Sequence, residues 1–176
     1  MKLIQMMALA APLVLATPAL ADHHKSKDKM AMSAEMDMNK MFVKAAAHSG
    51  HFEIESSRMA MEMSGNQDVQ DFAQMMVRDH TRVSQQLKEA AGMDLPMGAG
   101  PGQELILASL EGMEGDAFDR AYIENQIVGH KMTIAFFEKM AMSGEGELAL
   151  LADQTIPTLR EHLTRAEEIA SEMGMM

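Results

Sequence analysis

Four long segments of this chain repeat their apolar residues at alternating steps of three and four, the spacing of one face of an α-helix. These rows run from Phe42 to Met63, Phe72 to Leu87, Ile123 to Ala141, and Leu148 to Ile169. No segment of the sequence alternates apolar and polar residues for long enough to indicate a strand. The pattern therefore predicts an all-α protein.

Glycines lie between the four rows and indicate where the helices end. The sequence predicts helices at residues 39–64, 67–91, 116–143 and 147–171. Gly65 and Gly92 directly follow the first two helices, where a left-handed glycine commonly caps a helix. The tight turns at 65–66 and 144–146 should therefore form two antiparallel helical hairpins.

A long connection joins the two hairpins. Residues 92–115 are rich in Gly and Pro at first and then contain a short helical segment, "QELILASL". A link of this length crosses from one end of a bundle to the other. We therefore predict a ferritin-like four-helix bundle over residues 39–171, with a short helix in the long helix 2 to helix 3 connection.

The first residues of the chain predict export. Lys2 supplies a positive charge, residues 3–15 are mostly apolar, and "ALA" at 19–21 fits the cleavage site of a signal peptide. We expect residues 1–21 to be removed and the mature protein to lie in the periplasm, with no membrane insertion after cleavage. The chain contains no cysteine, which excludes disulfides and thiolate ligands.

The charge of the expected mature chain limits its partners. Lys2 is the only charged residue of the first 21, so 15 − 1 = 14 basic residues face 26 acidic ones, a net charge of −12. An acidic chain of this kind is repelled by nucleic acid and by anionic membranes, so we expect neither as a partner.

Residues 22–38 form a polar, charged segment without an aromatic residue, for which we expect a disordered tail. Its metal-ligating side chains are His23, His24, Met30, Met32, Met36 and Met38. Thioether and imidazole groups bind copper, so this composition indicates a loose copper-capture tail. The alternative is that methionine is only tolerated here, at a fraying start of the first helix.

Three of the four helices carry a histidine in their apolar row: His80, His130 and His162. Counting from the turns places the three at similar heights. His130 lies 14 residues before Gly144, and His162 lies 16 residues after Gly146. His80 and His130 each lie about 14 residues into helices that the crossover makes parallel. We therefore expect the rings to converge, with nitrogens roughly 3–6 Å apart.

Two interpretations of this convergence are open. A metal ion would satisfy one nitrogen of each ring, whereas unpaired buried nitrogens cost on the order of 1–3 kcal/mol each. Met76, four residues before His80, adds a thioether and favours copper, with zinc as the alternative ion if Met76 stays out. Proton competition should weaken such a site below about pH 6.5. The other interpretation is a metal-free structural bundle whose histidines form a buried hydrogen-bond network.

Motifs for catalysis are sparse. The residues three before the histidines are Val77, Ile127 and Leu159, so the paired Glu-x-x-His motifs of a carboxylate-bridged di-iron site are missing. The segment "GAGPG" follows no strand, so it does not indicate a phosphate-binding loop. We therefore expect a non-catalytic protein, with metal buffering or stress response as its role.

Several stretches also resemble a known bacterial family. They include "FVKAAAHSGHFEIESSRMAM", "VQDFAQMMVRDHTRVSQQLKEAAG" and "AFDRAYIENQIVGHKMTIAFFEKMA". These resemble the bacterial domain of unknown function 4142, whose members are mostly exported, ferritin-like four-helix proteins with no established activity. The resemblance covers about residues 39–170. It departs from the family at "HSGHF", where His48 and His51 replace small or neutral residues.

The resemblance also implies which polar residues matter. The recurring positions of the family fall on Glu53, Asp79, His80, Asp119, Tyr122, His130 and His162, and Met76 matches a family methionine. Glu53, Asp79, Asp119 and Tyr122 are then expected around the histidines, where carboxylates can orient the second nitrogen of each ring.

Overall fold

A computed structural model of the chain describes residues 19–175, and these residues are helical apart from their turns and connections. The helices are α1 (Ala19–Met63), α2 (Gln67–Ala91), α3 (Pro101–Glu111), α4 (Gly115–Ser143) and α5 (Gly146–Glu172). Within this described range there is no strand. The expected all-α class is confirmed, and the short helix predicted in the long connection is present as α3.

Seven of the eight predicted ends of the long helices match the structure within one residue, and the start of α1 does not. α2 ends at Ala91 with Gly92 in the left-handed conformation at φ 60°, as expected. Gly65 does not adopt a positive φ, so its predicted role as a left-handed cap is wrong. The turn after α1 is held instead by side chains, because Ser64 Oγ accepts from the Asn66 N–H at 3.1 Å.

The start of α1 differs most from the prediction. The helix begins at Ala19 rather than at residue 39, so the described residues of the expected disordered tail, 22–38, are helical. The segment is rich in Ala, Met, Lys and Glu, which are strong helix formers, and it continues a helix that already exists. The exposure of Met30, Met32 and Met36 shows that local propensity, rather than burial of these side chains, favours this helix.

The chain divides into two compact units, one ending at Ala34 and one beginning at Glu35, and the bundle and its core belong to the second. The expected signal peptide, residues 1–21, lies outside the described residues except for 19–21, which are helical. Within the described residues, no helix combines the length and the apolar character needed to cross a membrane.

The second unit is a helical bundle with two apolar clusters. α5 packs against α4 and α2, and α3 packs against α4. The first apolar cluster includes Phe42, Leu87, Ile134 and Leu159. The second apolar cluster includes Ala60, Phe72, Ile123 and Ala166, together with Leu110 of α3. Each cluster therefore draws side chains from all four long helices.

A polar layer lies between the two apolar clusters. Along α2, His80 lies between Met76 of the second cluster and Leu87 of the first, and His130 and His162 hold the same intermediate place on α4 and α5. The members of this polar layer are Glu53, Ser56, His80, Gln126, His130 and His162, and none is more than 5% exposed. The fold therefore buries a polar cross-section at mid-height along its helices.

The connection after α2 is tied to α1. His48 contacts the Gly98 carbonyl oxygen through Nδ1 at 2.9 Å, so this ring nitrogen donates. Gly100 precedes α3, and its N–H donates to Gln103 Oε1 at 3.0 Å. One of the histidines that depart from the family pattern thus contacts the connection.

Asn66 offers a direct test of how α2 begins. Its Oδ1 accepts from the Asp68 N–H at 2.9 Å, which satisfies one of the unpaired donors at the helix start. Asn66→Ala should lower the free energy of unfolding by about 1 kcal/mol in urea denaturation. Asn66→Ser keeps an acceptor and should recover most of this loss. An equal loss for both variants would contradict a capping role.

Candidate metal centre

Three histidines from three helices meet in the polar layer. His80 is on α2, His130 on α4 and His162 on α5, and they are 5%, 1% and 1% exposed. One ring nitrogen from each lies within 4.8 Å of the corresponding nitrogen of the other two. The ring centroids are 5.2–5.6 Å apart. The convergence expected from the helix heights is therefore present.

Hydrogen bonds orient two of the three rings. His130 Nδ1 donates to the Gln126 carbonyl oxygen of the preceding turn at 2.8 Å. His162 Nε2 donates to Asp79 Oδ2 at 3.3 Å. Because each ring carries its proton on the bonded nitrogen, the other nitrogen presents a lone pair.

Three further ring nitrogens have no partner within the protein. They are His80 Nε2, His130 Nε2 and His162 Nδ1, all buried. Buried polar atoms are normally hydrogen-bonded, so three unpartnered nitrogens on neighbouring rings are a costly arrangement. A cation with an affinity for imidazole would satisfy these atoms together.

The surroundings keep the imidazoles neutral. Burial lowers the pKa of His80 well below its usual value of 6.5, and the neighbouring His130 and His162 act in the same direction. The pKa of His130 falls to about 4, again mainly through burial. The pKa of His162 is also lowered by burial, although its bond to Asp79 opposes the shift. Neutral rings are the protonation state that metal binding requires.

Asp79 is the carboxylate that accepts a hydrogen bond from one of the three histidines, His162. Burial alone would raise its pKa, but hydrogen bonds from Arg78 and His162 outweigh burial and lower the pKa below 3.8. Arg82 adds an ion pair at 3.4 Å. Asp79 therefore stays ionised and can stabilise positive charge on or near His162.

Glu53 of α1 belongs to the same layer in a different protonation state. Burial raises the pKa of its carboxyl to about 8, and a hydrogen bond with the Gln126 side chain only partly opposes this. The carboxyl is therefore protonated at neutral pH. Its Oε2 is buried without a partner. Glu53 connects to His130 indirectly, because the Gln126 backbone holds the ring and the Gln126 side chain contacts the carboxyl.

Other residues expected around the histidines have different partners. The Tyr122 hydroxyl and Ser57 Oγ are 2.8 Å apart, a bond that joins α4 to α1, and burial raises the pKa of Tyr122. Asp119 is buried, and its Oδ1 has no partner in the protein. Met76 is fully buried in the second apolar cluster, one turn before His80. No described contact joins Asp119 or Met76 to the three rings.

The expected capture residues lie outside this layer. Met30, Met32 and Met36 are exposed, whereas Met38 is partly buried against the first apolar cluster. The side chains of His23 and His24 lie outside the described residues.

Sequence reasoning did not single out Gln126. It is fully buried, donates from Nε2 to Ser56 Oγ at 3.3 Å, and leaves its Oε1 without a partner. A signal was available, since Gln126 lies four residues before His130 and Ser56 occupies an apolar position of the first row. Polar residues at seam positions of two helices indicate that the layer extends beyond the histidines.

Comparison with known proteins places this chain in a family. A model of the domain of unknown function DUF4142 matches residues 16–169. The chain belongs to this family. The match confirms the resemblance noted in the sequence. No protein with a curated function matches the chain.

Among solved structures, this DUF4142 protein is similar to the crystal structure of a DUF305 fragment from Deinococcus radiodurans. The TM-score is 0.67 at 17% sequence identity, over 79% of this chain and 97% of the other. At this identity the likeness shows a shared helical fold alone.

Replacing Glu53 should change how stability depends on pH. Its folded pKa of about 8 lies above 4.5, so the native state keeps a proton that the unfolded chain loses. The proton on Glu53 therefore stabilises the native state. This stabilisation is fully present below pH 4.5 and is lost as the pH rises to about 8, with a slope of at most about 1.4 kcal/mol per pH unit. The melting temperature of Glu53→Gln minus that of wild type should therefore increase with pH and level off above about 8.

Glu55→Gln provides the control, because Glu55 is an exposed carboxyl on the same helix. The melting temperature of Glu55→Gln minus that of wild type should not increase with pH. A constant difference for Glu53→Gln over the same pH range would contradict a protonated carboxyl in the native state.

Proposed function

We propose that this protein is an exported, non-catalytic metal-binding protein that holds copper, as Cu(I), at His80, His130 and His162. Its role is to buffer or sequester the ion in the periplasm under metal stress. The observation that carries the proposal is the set of three buried, unpartnered imidazole nitrogens on neighbouring rings. Hydrogen-bonded core histidines would have used these atoms within the protein.

The distances suit an ion after a small adjustment. Imidazole nitrogens bind metals at about 2.0–2.1 Å, which requires nitrogens roughly 3.4–3.6 Å apart. The present limit of 4.8 Å is a little wider. Rotation of the side chains alone can close this gap, and the bonds of His130 to Gln126 and of His162 to Asp79 keep those rings directed inward.

The charge of the layer favours a monovalent ion. The desolvation cost of an ion rises steeply with its charge, and the three rings contribute no negative charge. A single charge on Cu(I) can be balanced by the ionised Asp79 beside His162. Met76, on the same helix and one turn before His80, supplies a thioether within the adjoining cluster, and thioether with imidazole is a copper donor set. Zinc is the alternative ion.

The N-terminal methionines suit a capturing role in addition to the buried site. Met30, Met32 and Met36 lie on α1 and are 71%, 65% and 51% exposed, so their thioethers are not part of the apolar core. We assign to residues 22–38, with His23 and His24, a loose affinity for Cu(I) that precedes binding in the core.

The finer fold and the location form part of the same proposal. We infer that the four long helices form a ferritin-like four-helix bundle, with residues 92–114 as the crossover. The short turns between α1 and α2 and between α4 and α5, contrasted with this long connection, support that connectivity. Residues 1–21 would direct the chain to the periplasm.

The metal-free alternative is a structural bundle with a histidine hydrogen-bond network. It explains the bonds of His130 and His162 but gives no role to the three unpartnered nitrogens. The two functions therefore differ in what leucine substitutions should do.

The double variant His80→Leu/His130→Leu should lose tight Cu(I) binding while staying folded. Leucine fills the same buried space without unpaired polar atoms, so the melting temperature should stay level or rise. Titration of Cu(I) against a chromophoric competing chelator, with thermal melts of the same samples, measures both effects.

His51→Leu is the matched control, because His51 lies on α1 outside the three-ring cluster. It should bind Cu(I) like wild type. Wild-type affinity in the double variant would leave the histidines purely structural and would overturn the proposal.

The pH profile of the core site should differ from that expected from unperturbed histidines. Because the pKa of His130 falls to about 4, protons compete weakly above that pH. Cu(I) affinity should therefore persist through pH 6.5 and fall only as the pH approaches about 4. A midpoint near 6.5 in the same chelator competition would show that the binding histidines are solvated.

Deleting residues 22–38 separates the capture segment from the core. The shortened protein should bind fewer Cu(I) ions in total and keep the tight, pH-resistant site. Loss of the tight site on deletion would place it in the N-terminal segment instead.

A further inference from the structure

A cleft of about 610 Å³ opens between α1, α3 and α4, on a face that does not involve α2 or α5. Its walls are mainly apolar. They are formed by Phe52, Ile106, Val128, Met132, Phe136 and Phe137. This volume lies within the range of sites that enclose small organic molecules, which are typically apolar with a few placed polar groups.

Small residues create the space. Ala45, Ala46 and Ser49 on α1 and Gly129 on α4 all line the cleft. A Cβ atom at Gly129 would lie 3.4 Å from Glu53 Oε1, so the missing side chain leaves room beside the carboxyl. The cleft is therefore part of how α1 and α4 meet, with α3 closing one side.

One buried polar group lines this apolar space. Glu53 is 2% exposed, and its Oε2 has no partner in the protein. The other polar side chains of the lining are more exposed, and two of them, Ser49 and Thr133, are 3.5 Å apart through their hydroxyls. The Glu53 carboxyl is therefore the buried polar group of the lining with which a bound molecule would form a hydrogen bond.

We propose that this cleft binds an uncharged, mainly apolar small molecule whose carbonyl or other acceptor oxygen takes a hydrogen bond from the Glu53 carboxyl. The apolar walls disfavour a charged ligand, because its desolvation would not be repaid there. The raised pKa of Glu53 supplies the donor proton at neutral pH. The lining contains none of the three histidines, so a ligand in this cleft does not compete for the proposed copper donors.

The probe for this site is 6-propionyl-2-(dimethylamino)naphthalene, an uncharged aromatic ketone whose emission shifts to shorter wavelength in apolar surroundings. Titrated against the full chain without its signal segment, it should bind saturably with a stoichiometry of one. Its analogue without the ketone, 2-(dimethylamino)naphthalene, should bind more weakly by about tenfold, the effect of one hydrogen bond.

Filling the cleft tests its location. Ala45 lines the cleft and is exposed, so Ala45→Phe should weaken ketone binding by more than tenfold without disturbing the core. Ala135→Phe is the matched control, since Ala135 is exposed on α4 outside the lining. Val128→Phe, at a lining position that is 53% exposed, replaces Ala45→Phe if thermal melts show that the latter is unfolded.

Changing Glu53 tests the ligand class. Glu53→Leu should weaken the ketone by about tenfold and leave the ketone-free analogue unchanged, because only the ketone loses a donor. Glu53→Gln keeps an N–H donor and should bind the ketone within about twofold of wild type.

Three results would overturn the proposal. They are the absence of saturable binding, equal binding by the cleft-filling variant and Ala135→Phe, and an equal effect of Glu53→Leu on both probes. Loss of Cu(I) binding in the histidine double variant with unchanged ketone binding would confirm that the two sites are separate.

Discussion

The burial of three imidazole rings constrains the residues that surround them in this core. The fold excludes water from His80, His130 and His162 with an apolar cluster on each side, and it provides an acceptor to two of the three rings. Those acceptors, the Gln126 carbonyl and Asp79, fix which nitrogen carries the proton. The cost of the remaining lone pairs is borne by the burial of large apolar side chains above and below them.

Two carboxyl groups, Glu53 in the polar layer and Asp79 beside it, have opposite protonation states. Asp79 is held ionised by Arg78, Arg82 and His162 near the surface of α2. Glu53 on α1 is buried without a cation beside it, and its pKa rises to about 8. One acid therefore balances positive charge while the other acts as a hydrogen-bond donor. The different surroundings of Asp79 and Glu53 therefore give the two carboxyl groups different roles, although their intrinsic chemistry is nearly the same.

Periodicity and punctuation in the sequence predicted much of this arrangement. Gly92 marked the end of α2 because only a left-handed residue fits there, and counting from the turns brought the three histidines to one height. Gln126 was missed because its position four residues before His130 was not weighed, and an amide side chain by itself does not indicate burial. The helical segment at residues 22–38 was missed because polarity predicts the absence of burial, whereas Ala, Met, Lys and Glu favour a helix without burial.

The two apolar clusters also determine how anything reaches the layer between them. Each cluster takes side chains from all four long helices, so both ends of the interior are sealed along the helix axes. Passage to the three rings must therefore occur sideways, through a transient separation of two neighbouring helices. The rate of such a passage depends on how often the helices part rather than on the strength of the contacts inside. Anything bound by the three rings would exchange slowly even where its equilibrium affinity is modest.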